Sequence, residues 1–282
     1  MKKIVLSLLL AISTLAHAEF SPRGKTVKVV VPYPVTGNPG ILFRSMQSFA
    51  AQDNIVMVPE YKPGASGSVG LQYAATEPAT GHTLVISIIS DLAANNLQDK
   101  FDHVTALTTT SVILASSKSS KLYALGDVVR AESSMPGKLN WGVANNALSR
   151  MTLNLADLTN LDKNRIVQVP YTGAAKVAQG LITGDIDVAF LPASIAYPAS
   201  DNNFMNIVEV SDTVHLKLKN KTDGYALHMP KNTNADAAKY WSNFIERFQA
   251  DMVVQQQLKA AYMTPLPTGQ RQLETYVTAW VK

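Results

Sequence analysis

The chain has 282 residues, 25 of them basic and 21 acidic, and no cysteine. A balance this close to neutral, with no long basic run, excludes a nucleic-acid footprint. Without thiols there is neither cysteine chemistry nor disulfide support, so the fold must rest on its core, and the length is enough for two lobes with separate cores.

The chain opens with Lys2 and Lys3, an apolar run over 4–16, and the small-x-small triplet Ala16-His17-Ala18. That is the layout of a secretory signal peptide, with cleavage expected after Ala18. The run is shorter than the roughly 20 apolar residues that span a bilayer. Every later apolar stretch is broken by charged or turn residues, so the mature chain is expected to be free of the membrane. The leader holds two of the basic residues and no acidic one, leaving 23 basic residues against 21 acidic.

Thr26–Val31 is a β-branched run and reads as a buried strand. A loop rich in Pro, Gly and Asn follows at 32–40. Ile41, Leu42, Ser45, Met46 and Phe49 then recur at helical spacing. A strand at 54–60, a turn at 62–67, a helix at 68–76 and a strand at 83–89 continue the rhythm. It restarts after a strand at 111–116, with helix 126–132, strand 138–142, helix 148–160, strand 166–169, helix 173–182 and strand 186–191. A strand at 224–229 returns to the first half. Ala237, Ala238, Trp241, Phe244, Ile245 and Phe248 mark one helical face, and helices are expected at 253–262 and 270–281. Strand, loop and helix in rotation imply α/β lobes with mostly parallel sheets flanked by helices. The expected division is 19–118 with 224–282 for lobe 1 and 119–223 for lobe 2, joined by a hinge near 117–122 and 221–225.

Enzyme signatures are missing from the sequence. His82, His103, His215 and His228 are scattered and fit no metal spacing. There is no Gly-x-Ser-x-Gly elbow, and the glycines of 64–70 do not match a dinucleotide fingerprint. Asp185 and Asp187 would share a strand face, yet Gly184 beside them favours a solvated turn. No cofactor or metal is expected.

Three strand-to-helix loops carry small and polar residues instead. The first, at 32–40, offers Tyr33, Thr36, Gly37, Asn38 and Gly40; the second, at 64–70, Ser66 and Ser68; the third, at 143–149, Ala144, Asn145 and Asn146. A helix N-terminus presents unpaired N–H groups and a partial positive charge, which suit a carboxylate without any arginine. Such loops lie beyond the carboxyl ends of the strands, where α/β sheets bind ligands. Tyr171, Thr172 and Gly173 would add an aromatic wall and another helix start. Ser90 and Asp91 close the strand 83–89 and either face the same cleft or cap the next helix. Pro192 and Ser194, past the strand 186–191, complete the set.

Four segments carry a family resemblance: Val30-Val31-Pro32-Tyr33-Pro34 with its loop to Arg44; Tyr61-Lys62-Pro63-Gly64-Ala65-Ser66-Gly67-Ser68-Val69-Gly70; Pro136-Gly137-Lys138-Leu139-Asn140-Trp141-Gly142; and Val169-Pro170-Tyr171-Thr172-Gly173 followed by Gly184-Asp185-Ile186-Asp187-Val188-Ala189-Phe190. In this order they resemble the periplasmic solute-binding components of tripartite tricarboxylate transporters, the Bug family. The resemblance implies a two-lobed Venus-flytrap of the periplasmic binding protein type II. It also implies a periplasmic monomer that holds a small organic acid in its interlobe cleft and passes it to membrane permease subunits. The chain departs from the family pattern at Gly40, where an aspartate is usual, at Thr36, where a glycine is usual, and at Thr80. Val143 and Leu148 are bulkier than the family's loop and would narrow the pocket or make it more apolar. A ligand-sensing adaptor for a membrane receptor, or a degenerate binding protein, is the alternative reading.

Overall fold

The computed structural model describes residues 20–210, 224–269 and Leu273. The expected leader, the hinge residues 221–223 and, apart from Leu273, the expected helix at 270–281 lie outside them. Two sheets organise the described chain. The first contains β1 (Thr26–Val31), β2 (Val56–Tyr61), β3 (Thr83–Ile88), β4 (Phe101–Thr110), β10 (Gly224–Pro230) and β11 (Met263–Pro265), in the order β11-β4-β10-β3-β1-β2. The second contains β5 (Val112–Ser117), β6 (Asn140–Val143), β7 (Val167–Pro170), β8 (Val188–Pro192) and β9 (Met205–Ile207), in the order β7-β6-β8-β5-β9.

Side-chain parity explains why helices cover both faces of the first sheet. Successive residues of a strand point to opposite sides. In β1, Val27, Val29 and Val31 join the larger core, while Val30 joins a smaller one with Leu71, Val85 and Leu92. The larger core holds α1 (Asn38–Gln52) and the two helices after β10, α8 (Ala235–Ala250) and α9 (Met252–Ala260). The smaller core holds α2 (Ser68–Ala75) and α3 (Ile89–Ala94). Trp241, Phe244, Ile245 and Phe248 of α8 are all fully buried, so the apolar stripe read from the sequence is the packed face. Trp241 also donates its indole N–H to the Gly81 carbonyl at 2.8 Å. In the second lobe, α4 (Leu125–Ser134) and α5 (Asn146–Leu158) pack on one face, and α6 (Ala174–Thr183) and α7 (Ala193–Asp201) on the other.

Two expectations need correction. Each sheet is mixed rather than mostly parallel: β1–β2, β1–β3, β6–β7 and β6–β8 are parallel, but β10 runs against β3 and β4, and β5 against β8 and β9. The first lobe also ends earlier than 118. The chain crosses at Ser111, because Val112–Ser117 pairs in register with β8 and β9 of the second sheet. The expected hinge at 117–122 is therefore internal to the second lobe. A strand's pairing partner lies far away in sequence, and the local run at 111–116 carried no mark of it. Strand β4, which fills the first sheet before the crossing, was not anticipated either.

Candidate functional site

The carboxyl ends of β1, β3, β6, β7 and β8 open onto one cleft of ≈ 270 Å³ between the lobes. Five helix starts reach its wall. They are α1 through Gly37 and Asn38, α2 through Gly67, α5 through Asn145, α6 through Gly173 and Ala174, and α7 through Pro192. None of the described residues that line it carries a charged side chain. Each helix start contributes about half a unit of positive charge through its unpaired N–H groups. The cleft's field is thus set by backbone rather than by lysine or arginine, and it favours an anion. Ala65 and Ser66 line it with φ of 45° and 48°, left-handed values that cost a non-glycine residue and cluster where backbone serves a site. Ile88, Leu148, Ile195 and Tyr225 supply apolar surface beside these polar ends.

Of the residues singled out in the sequence, Tyr33, Gly37, Asn38, Ser66, Ala144, Asn145, Tyr171, Thr172, Gly173 and Pro192 meet at this cleft. Tyr33 is largely buried, and its hydroxyl accepts the Ile88 N–H at 2.9 Å, tying the first loop to the end of β3. Gly173 sits at φ 91°, and a Cβ there would fall 2.9 Å from Pro34 Cγ of the other lobe.

Seven expected residues do not line the cleft. Thr36 is exposed outside it. Gly40 is buried in α1, where a Cβ would lie 2.1 Å from the Val35 carbonyl oxygen; it is a close-packing position. Ser68 accepts the Gln72 side-chain amide at 3.0 Å on the surface of α2. Ser90 and Asp91 are fully buried because β3 ends at Ile88 and α3 begins at once. Asn146 donates its N–H to Asp91 Oδ1 at 3.2 Å. Ser194 Oγ donates to Asn38 Oδ1 at 2.7 Å, while Asn38 Nδ2 donates to Thr110 Oγ1 at 2.9 Å. Two of these contacts, Asn146 to Asp91 and Ser194 to Asn38, join the lobes in a closed form, while Asn38 to Thr110 lies within the first lobe.

The aspartates at 185 and 187 do not form a facing pair: Asp185 accepts the Thr183 hydroxyl at 2.7 Å, and Asp187 accepts the Asn140 N–H at 2.8 Å. Among the described residues no group of three His, Asp or Glu side chains is placed to hold a metal.

Residues 42–207 match the family described as tripartite tricarboxylate transporter family receptor. The chain belongs to this family. Solved structures match the receptor over most of its length. A periplasmic transporter is 20% identical with a TM-score of 0.81, over 91% of this chain and 93% of the other. An R. palustris protein with adipate is 17% identical with a TM-score of 0.82, again over 91% and 93%. MatC from Rhodopseudomonas palustris, with bound malate, is 20% identical with a TM-score of 0.79, over 91% and 97%. At such identities the likeness establishes the fold, a two-lobed periplasmic binding protein. No curated protein sequence matches the receptor significantly.

The sequence reading missed the receptor's apolar wall. Ile88 and Tyr225 sit where strands β3 and β10 meet side by side, with Tyr225 opposite Ile88 in register. Only the antiparallel return of β10 brings them together. Ile195 is the third residue of α7, a helix that no local sequence pattern announces.

Proposed function

We propose that this receptor captures a small organic acid in its interlobe cleft, does no chemistry on it, and hands it to a membrane permease from the periplasm. The observation that carries this reading is the convergence of the α1, α2, α6 and α7 starts on a cleft where none of the described lining residues is charged. Anionic ligands gain from such ends without the desolvation of a buried cation. Relatives of the same fold with bound malate and with adipate support the ligand class. The binding residues in this reading are those that line the cleft, with Asn38 and Ser194 closing it. Lys2 and Lys3, the apolar run over 4–16 and the Ala16-His17-Ala18 triplet support export, with the mature chain beginning at Glu19 and acting as a monomer.

The test is a thermal-shift panel on protein unfolded to strip captured ligand and then refolded. Citrate, succinate, malate, glutamate, nicotinate and benzoate form the panel. A ligand that binds only the folded state raises the melting temperature according to its concentration over Kd. One acid producing a clear, saturable shift is the expected result. A cooperatively melting sample that responds to none of them would sink the carboxylate reading. Uptake of the same acid in cells with and without the receptor tests delivery.

A further inference from the structure

The five helix starts are not equivalent. At α5 two of the three first-turn donors are engaged by side-chain oxygens of the protein itself. Asp91 Oδ1 accepts the Asn146 N–H at 3.2 Å and Asn145 Oδ1 accepts the Leu148 N–H at 2.9 Å. Asp91 is fully buried and belongs to α3 of the other lobe. When the lobes close, the receptor therefore seats its own carboxylate on the start of α5. One helix start carries about half a positive charge, which one carboxylate more than offsets.

The surroundings of that end are apolar as well. Leu148 and Tyr225 line the cleft there, and past them it continues into a chamber of ≈ 40 Å³ bordered by Ala147 and Met151. A ligand charge pushed to this end would lose its water and meet a start where Asp91 and Asn145 already take two of the three first-turn donors. The α6 start differs: Gly173 is its cap, and the exposed Thr172 beside it leaves a hydroxyl at the cleft.

We propose that the cleft takes an acid with a single carboxylate, whose apolar body lies against Leu148 and Tyr225. Asp91 is the specificity-determining residue that keeps a second carboxylate from the α5 start. This rests on the carboxylate reading of the cleft and narrows it. It sets the receptor apart from its structural relative with bound malate.

Calorimetric titration of the refolded receptor with hexanoate, benzoate, adipate and succinate tests it. Hexanoate and adipate share a chain length and differ by one carboxylate. The expected result is that hexanoate or benzoate binds at least about 10-fold more tightly than either dicarboxylate. Asp91→Ala, which frees the Asn146 N–H, should narrow that ratio about 5-fold or more by improving adipate. Asp91→Asn, which keeps the shape and removes the charge, should narrow it less. Adipate binding as tightly as hexanoate in the unaltered receptor overturns the proposal while leaving the carboxylate reading intact. No binding of any acid overturns both. An unchanged ratio in folded variants removes Asp91 from the role. If the variants do not fold, the hexanoate-to-adipate ratio of the unaltered receptor decides the ligand class.

Discussion

Ser194 Oγ donates to Asn38 Oδ1 at 2.7 Å across the lobes, and the Asn38 amide donates in turn to Thr110 Oγ1, one residue before the chain crosses at Ser111. Asn38 is almost wholly buried in the closed form and lines the cleft. One side chain thus touches the ligand space, the opposite lobe and the edge of the crossover. A ligand that orders Asn38 favours closure, because the bond from Ser194 exists only when the lobes meet, while the bond to Thr110 holds the side chain in place within the first lobe.

Replacing Ser194 with Ala removes one cross-lobe hydrogen bond and leaves Asn38 Oδ1 facing a methyl group. A net cost of about 1 kcal/mol is expected from the closed form. Titration with the acid found by the thermal-shift panel should show a Kd raised about 5-fold, with the melting temperature of the ligand-free protein little changed.

Gly173→Val should abolish tight closure. The new Cβ would meet Pro34 of the other lobe, and φ of 91° is costly for a branched residue. A loss of affinity of about 10-fold or more is expected. Circular dichroism checks that the fold survives, and small-angle scattering in the presence of ligand should show a larger radius of gyration than the unaltered protein.

Stability should fall as pH drops below about 6.5, the ordinary histidine pKa. His228 is fully buried; its Nε2 pairs with Ser87 Oγ at 2.7 Å, and its Nδ1 with His103 Nδ1 at 2.9 Å. Burial, and then the neighbouring His103, push its pKa well below the usual value. The unfolded chain takes up a proton that the folded one refuses, so the loss begins near the unfolded pKa and continues down to the folded one. The slope is up to about 1.4 kcal/mol per pH unit. Urea unfolding at pH 7.5 and 5.5 measures it, and a His228→Gln variant with the same pH slope as the parent would exclude His228 as the source.

Phe244→Ala should destabilise the first lobe by about 3–5 kcal/mol. Phe244 is fully buried, with its ring centroid 5.3 Å from that of Phe49 and 5.4 Å from that of Trp241. Chemical denaturation followed by tryptophan fluorescence reads the loss, and a change under 1 kcal/mol would contradict the packing described.

Much of the cleft was legible because loop chemistry is local. Gly37, Asn145 and Gly173 are helix caps whose small or polar character is visible in any sequence, and all three line the site. Ser90 and Asp91 lie inside α3 rather than at the end of a strand, which buries both. The apolar run 84–89 carries no sign that the helix begins at Ile89, since a buried strand and a buried helix turn look alike over so few residues. Gly40 was misread because its reason is a backbone contact with Val35, which no side-chain pattern records.

The sequence by itself determined the α/β rhythm, the apolar face of α8 and the small, uncharged loops that cap the helices, because side-chain period and cap chemistry act between near neighbours. Tertiary structure alone decided the crossing at Ser111, the mixed strand order, the meeting of Ile88 with Tyr225, and the pairing of Asp91 with Asn146, 55 residues apart. Those choices depend on which surfaces meet once the chain has closed long loops, and the energy of such a meeting belongs to neither segment alone.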